Sequence, residues 1–243
     1  MKKLHTIDKV FIICNKIKEF DRFQKWQEWV SQRDDVEFFS YNWADELQAD
    51  DINYWRAEDD DIIRREIQFR TFPINNAEFS CSLNWIKLLE KVRLVGYNRV
   101  LIFESDAFFD EYFEDDFNRA IKLASAAKDL DILSIGTGSG CRLSLNNNMH
   151  LSGVFKVNSV RALEGVVITK SGVGKILDYV HRNRLTMVFD IELKYAIEKG
   201  FVNMYWLEPP IVRQTSAEGL SESYLNQGQF KLLNNGSYGV NSK

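Results

Sequence analysis

The feature that most constrains this chain is an apolar run without alternation, placed directly behind a helical repeat. Arg99-Val100-Leu101-Ile102-Phe103 has a polar residue only at its first position. A strand with one wet face alternates apolar and polar residues, so a continuous run belongs to a strand covered on both faces. Lys9 to Cys14 reads the same way. Before the first of these runs, Leu83, Ile86, Leu89 and Val92 recur at helical spacing between Ser82 and Val95, and Gly96 stands where a left-handed C-cap belongs.

The same alternation of element types runs along the rest of the chain. Phe20, Phe23, Trp26, Trp29 and Val30 are spaced for a helix over Glu19 to Val30, and Val36 to Phe39 is a short strand. Tyr41 to Asn76 is polar and irregular, with a helix expected from Asp59 to Phe69, closed off by Pro73. A helix from Tyr112 to Lys128 precedes a strand from Asp131 to Ile135, and Gly136 to Asn158 reads as a long polar connection. Val166 to Thr169 is a further strand, Ser171 caps a helix through Val180, Asp190 to Lys199 is helical, and Val202 to Leu207 is the last strand. Beyond Arg213 periodicity is lost, and Gly228 to Lys243 reads as a loose tail. Strand, helix, strand, helix in this order predicts a single α/β domain with a mostly parallel sheet flanked by helices.

Composition excludes several classes. Of 243 residues, 45% are hydrophobic and 27% charged, which is neither disordered nor fibrous in character. With 31 Lys plus Arg against 35 Asp plus Glu, and no cationic stripe, a nucleic-acid polymer is not an expected partner. The run Glu58-Asp59-Asp60-Asp61 is a solvated helix start. Cys14, Cys81 and Cys141 lack any C-x-x-C pair, so neither a disulfide framework nor a zinc site is expected. His5, His150 and His181 offer no paired ligand spacing; His150 is expected in solvent. The apolar run at 10–14 is shorter than a signal-peptide core, and no segment reaches the roughly 18 apolar residues of a membrane span. A cytoplasmic protein without a transmembrane segment is expected.

Two motifs carry candidate chemistry. Gly136-Thr137-Gly138-Ser139-Gly140 follows a strand, as the glycine loop of S-adenosylmethionine-dependent methyltransferases does, but Ser144, Asn146, Asn147 and Asn148 then take the place of the helix such a loop should open. Glu104-Ser105-Asp106 follows the buried strand Val100 to Phe103, at the strand end where open α/β sheets bind ligands. Carboxylates two apart in a turn can serve one hard cation, which keeps waters and accepts diphosphate oxygens.

The segment Glu78-Phe79-Ser80-Cys81-Ser82-Leu83-Asn84-Trp85, followed by a helix, a buried strand and Glu104-Ser105-Asp106-Ala107, resembles the family 25 glycosyltransferases, the lipopolysaccharide-biosynthesis and collagen-galactosyltransferase group. Asn15 with Asp21-Arg22, Asp131 to Gly136, Gly165 to Leu177, Asp190, and Pro210-Ile211-Val212-Arg213-Gln214 are similar to successive parts of that family's pattern, from about residue 9 to 216. Three departures stand out: Asn84-Trp85 replaces Ser-His, Ser80 replaces Gly, and Ser105 replaces the middle acid of a Glu-Asp-Asp triplet.

The resemblance implies a GT-A-like domain in which residues 1–135 bind nucleotide, 136–216 bind acceptor and 217–243 form a polar tail. It implies transfer of a hexose from a nucleoside-diphosphate sugar, a UDP-sugar first, to a glycan or other hydroxyl acceptor. Asp106 and Glu104 would ligate Mn²⁺ or Mg²⁺, which neutralises charge on the leaving diphosphate. Asn15, Asp21, Arg22, Asn84 and Glu104 would bind the donor, and Asp190 would be the general base for the acceptor hydroxyl. Two other readings stay open on the sequence: a methyltransferase using Gly136 to Gly140, and a catalytically silent sugar-binding domain in which Ser105 marks the lost activity.

Overall fold

The computed structural model describes residues 4, 6–56, 74–138, 143, 151–161 and 163–220. The expected helix Asp59 to Phe69, most of the tail from 217, Cys141, His5 and His150 lie outside the described residues, as do Ser139 and Gly140 of the glycine motif.

The strands are β1 (Lys9–Ile13), β2 (Val36–Phe39), β3 (Arg99–Glu104), β4 (Ala107–Phe108), β5 (Ile132–Ser134), β6 (Gly153–Val157), β7 (Gly165–Thr169), β8 (Met204–Glu208) and β9 (Arg213–Gln214). Seven of them form one mixed, mostly parallel sheet in the order β2-β1-β3-β7-β5-β8-β6. β1 pairs in parallel with β2 and β3, and β5 with β8, whereas β7 and β6 run against their neighbours. The α/β class expected from the element order is what the chain adopts. β7 lies between β3 and β5, so the first and second halves of the chain share one sheet.

Five α-helices are described: α1 (Phe20–Ser31), α2 (Asn76–Val95), α3 (Phe113–Ala124), α4 (Lys170–Asn183) and α5 (Phe189–Glu198). They cover both faces of the sheet. Phe11, Val100, Ile102, Ile168 and Met204 pack with Trp85, Leu89, Ile176, Leu177 and Leu193 from α2, α4 and α5. Val10, Ile12, Leu101, Phe103 and Val167 point the other way, onto Trp26 of α1 and Phe113, Phe117 and Ile121 of α3. Successive residues of β1 and β3 thus feed two cores, which is why their sequences do not alternate.

Several boundaries differ from the sequence reading for identifiable reasons. α2 begins at Asn76 rather than Ser82, because Asn75 and Glu78 form a capping box: the Asn75 side chain accepts from the Glu78 N–H at 2.9 Å, and Glu78 Oε2 accepts from the Asn75 N–H at 3.0 Å. Gly96 does close this helix, at φ 85°. Thr169, not Ser171, caps α4, its hydroxyl accepting from the Gly172 N–H at 3.1 Å, while Ser171 Oγ donates to Asp131. The connection expected from Gly136 to Asn158 contains an edge strand, β6, paired antiparallel to β8. Along α1, Phe20 is 54% exposed and Arg22 is buried, the reverse of what its apolar stripe suggests.

Candidate functional site

The carboxyl ends of β2, β1 and β3 open into a cleft of about 820 Å³, counting its mouth. Its wall combines Ile13, Cys14 and Asn15 after β1, Glu19 and Arg22 at the start of α1, and Ser40, Trp43 and Ala44 after β2. The first turns of α2 add Ala77, Ser80, Cys81, Asn84 and Trp85, and Glu104, Ser105 and Asp106 follow β3. Gln214 and Ser216 close the far side. This is the sheet edge at which α/β proteins place ligands.

The turn at 104–106 is held from three directions. Trp26 Nε1 donates to the Ser105 carbonyl at 2.9 Å, and the Asp106 carbonyl accepts from the Thr215 N–H at 2.9 Å. Beside it β4 and β9 pair antiparallel, so Gln214 and Ser216 face the Asp106 carboxylate. Gln214 Nε2 reaches Asp106 Oδ2 at 3.3 Å, and Ser216 Oγ donates to the same oxygen.

Arg22 is buried because its guanidinium has carboxylates to meet. Nη1 donates to Ser105 Oγ at 2.9 Å and to Glu19 Oε1 at 3.2 Å, and Nη2 lies 3.8 Å from Asp106 Oδ2. Ser105 Oγ in turn donates to Glu19 Oε1 at 2.5 Å. The other oxygen of Glu19 accepts from the Asn15 N–H at 2.8 Å. Asn15 spends its own side-chain oxygen on the Ile17 and Lys18 N–H groups, each at 3.0 Å.

Glu104 is the strained member. Burial first, then the charges of Asp106 and Glu164, push its carboxyl from the ordinary 4.5 up to about 8, against a hydrogen bond from Trp85 Nε1 at 3.2 Å. Burial and the nearby carboxylates, Glu104 foremost, also hold the Cys81 thiol protonated. The Trp85 ring stacks on Phe189 at 5.6 Å, which fixes the donor that Glu104 uses.

The cleft brings together Asn15, Arg22, Asn84, Glu104 and Asp106 of the residues singled out by sequence. Asn84 does so as a wall tie: its Oδ1 accepts from the Tyr41 N–H at 2.6 Å and its Nδ2 donates to the Ser80 carbonyl at 2.9 Å. Asp21 sits on the exposed face of α1, away from the cleft lining. Asp190 is in the first turn of α5 and does not line the cleft, although its charge is among those that raise Glu104 and Cys81. Glu19, Trp43, Cys81 and Ser216 were not anticipated as site residues. Gln214 ends the Pro210 to Gln214 segment, whose sequence points to no role for it. Glu19 carried one usable signal, an acid three residues before Arg22, which puts both on one helix face.

The glycine motif is packed by the protein itself. A Cβ on Gly136 would stand 2.5 Å from the Glu164 carboxyl, and one on Gly138 would meet Arg161 at 2.5 Å, with φ already at +53°. Glu164 is fully buried and accepts from the Gly138 N–H at 2.7 Å and Thr137 Oγ1 at 3.3 Å; its Oε2 has no hydrogen-bond partner among the described residues. Arg161 Nη1 pairs with buried Glu208 at 2.7 Å.

Among the described residues no three His, Cys, Asp or Glu are grouped to hold a metal, so there is no preformed cage. The residues that would hold a hard cation in this cleft are Glu104 and Asp106. Glu104 and Asp106 line one cleft, repel each other, and leave room for a ligand to supply further oxygens. Mg²⁺-type sites are commonly built that way, from one or two carboxylates plus substrate phosphates and water.

Fold and site together define an α/β protein with a carboxyl-rich cleft at the carboxyl edge of a mixed sheet. No protein-family model matches the chain, and no curated protein sequence matches it significantly. Among the described residues no helix is long and apolar enough to cross a membrane.

Proposed function

We propose that the cleft binds a nucleoside-diphosphate sugar, a UDP-sugar first, and that the chain transfers its hexose to a hydroxyl of a glycan or similar acceptor. The observation that carries this reading is the placement of Glu104 and Asp106 on one turn at the carboxyl edge of β3, facing the same cleft as Asn15 after β1. The looser sequence resemblance to family 25 glycosyltransferases points the same way.

In this reading Asn15 and the Trp43 side of the cleft take the nucleoside, and Arg22 and the acidic turn take the diphosphate. Glu104 and Asp106 are the residues that would hold Mn²⁺ or Mg²⁺, which when bound supplies Lewis-acid charge neutralisation to the leaving diphosphate. The need for a cation follows from charge: Glu19 and Asp106 already face Arg22 in the lining, Glu104 must release its raised proton to join them as a ligand, and a diphosphate would add to the excess. Asp190 is the candidate base, which requires the acceptor to enter from the α5 side. A methyltransferase reading gains little support, since Glu164 and Arg161 fill the space beside Gly136 and Gly138.

Calorimetry of UDP binding with and without Mn²⁺ tests the proposal. Mn²⁺ should tighten UDP and UDP should tighten Mn²⁺ by the same factor. Asp106→Ala should abolish that mutual effect, and Asp110→Ala, at an exposed position beyond the cleft, should preserve it. Failure of the wild-type protein to bind UDP, or an unchanged Mn²⁺ effect in Asp106→Ala, ends the proposal.

A further inference from the structure

Glu19 occupies the N-cap of α1, a position where Ser, Thr, Asp or Asn normally cap the first turn. It makes no side-chain cap hydrogen bond, at φ −116° and ψ 41°. Its carboxylate is turned into the cleft instead and is almost fully buried, at 6% exposure. There both oxygens are used. Oε2 takes the Asn15 N–H, at the turn leaving β1; Oε1 takes Ser105 Oγ and Arg22 Nη1, at the turn leaving β3. A helix cap has been given up for a link from the turn after β1 to Ser105, 86 residues beyond Glu19 in sequence.

We propose that Glu19 is a positioning residue that locks the Asn15 turn and the Ser105–Asp106 turn into one rigid unit, so that the nucleoside side and the diphosphate side of the cleft are set together. The proposal rests on the nucleotide-sugar reading for its functional meaning, while the link itself is a property of the free protein. A buried, charge-assisted hub of this kind removes the freedom of two loops before ligand arrives, which is how preorganisation raises affinity. Ser105 is essential to it, since a hydroxyl can accept from Arg22 while donating to Glu19.

The test uses Glu19→Gln, Ser105→Ala and the double variant in the full chain. In the free protein, nuclear magnetic resonance follows three hydrogens: the Asn15 amide, the Trp26 indole N–H bonded to the Ser105 carbonyl, and the Thr215 amide bonded to the Asp106 carbonyl. Each single variant should shift and speed exchange at all three, with Ile12 and Leu101 in the core strands unchanged. Calorimetry with UDP and Mn²⁺ should show each single variant weakened about tenfold or more, as for a lost buried charged hydrogen bond, with the double variant little worse than either.

Exchange that rises uniformly, core strands included, assigns Glu19 to general stability and overturns the proposal. So does perturbation confined to Asn15, or tighter UDP binding in Glu19→Gln, which would make it a mere repelling charge. If Glu19→Gln does not fold, Ser105→Ala cuts the same link from its other end and decides the matter alone. If the wild-type protein binds no UDP, the nucleotide reading falls, and the three resonances still decide whether Glu19 joins the turns.

Discussion

Glu104→Gln should make the protein more resistant to alkaline conditions, by an amount set by the cleft. In the folded chain the Glu104 carboxyl titrates near 8, against 4.5 ordinarily. Below about pH 4.5 folded and unfolded chains both hold the proton, and it has no effect on stability. Between 4.5 and 8 the unfolded chain has released it and the folded chain has not, so the folded state loses stability as pH rises, and the loss is complete above 8. At about 1.4 kcal/mol per unit, the full shift corresponds to roughly 5 kcal/mol. Water in an open cleft screens part of this, leaving about half. Buried Glu164 is raised in the same direction and will give both proteins a residual slope. Gln keeps the acceptor for Trp85 Nε1 and carries no charge, so it removes the Glu104 part alone. Urea denaturation followed by tryptophan fluorescence at pH 5.5, 7.0 and 8.5 should show the variant gaining about 2 kcal/mol on the wild type across that range. A wild-type-to-variant difference that stays constant with pH would refute the reasoning, because it would mean that the Glu104 proton is not linked to folding.

Three further outcomes follow from the same geometry. Asp190→Asn should cut transfer activity by roughly 10²–10⁴ with donor affinity nearly unchanged if the residue is the base, whereas intact turnover with a small loss of stability makes it a helix-start residue only. Gly138→Ala should lower stability by roughly 1–3 kcal/mol, since both its φ of +53° and the 2.5 Å approach to Arg161 oppose a side chain, while Gly200→Ala, with open space and only a φ of +75° against it, should lose less in the same thermal melts. Cys81 and Cys14, one raised well above its ordinary value and the other to about 12, should alkylate slowly at pH 8 compared with a free thiol, and rapid labelling of either by mass spectrometry would contradict the burial and neighbouring carboxylates that raise them.

What the sequence made legible was whatever local pattern determines. The apolar runs of β1 and β3 announce a sheet covered on both faces, and Gly96 announces a helix end. The capping box that starts α2 was also present as Asn75 and Glu78, but the irregular stretch around it masked the signal. β6 was missed because Gly153 to Val157 is a part-exposed edge strand preceded by a polar stretch, and it becomes a strand by pairing with β8. In the site, Glu104 and Asp106 could be found because strand ends are where chemistry is sought. Gln214 and Ser216 could not, and Glu19 only through its spacing to Arg22, since what makes them site residues is the return of β9 to β4 and the approach of α1 to the turn, both long-range. Arg22 inside and Phe20 outside is the clearest case: hydrophobic spacing assigns them the other way, and tertiary charge pairing overrides it.

Ser105 shows how a departure from a pattern can be read once its neighbours are known. Where the family pattern that this chain resembles carries an acid, Ser105 presents a hydroxyl to Glu19 and Arg22. An aspartate at that place would set a second carboxylate against Glu19, which already shares one cleft with Asp106, with Arg22 as the cation of the lining. Like charges in a part-dry site repel strongly, and beside the larger effect of burial the charges of Asp106 and Glu164 already help to raise Glu104. Ser105 and Glu19 form a matched pair, a hydroxyl in the turn donating to the carboxylate at the helix start that faces it. Under the proposed reading Glu104 and Asp106 are left for a cation, and Glu19 serves as a brace. An acid at position 105 would therefore oppose Glu19, and Ser105→Asp should weaken the turn, as read by faster exchange of the Trp26 indole N–H, unless Glu19 is neutralised with it.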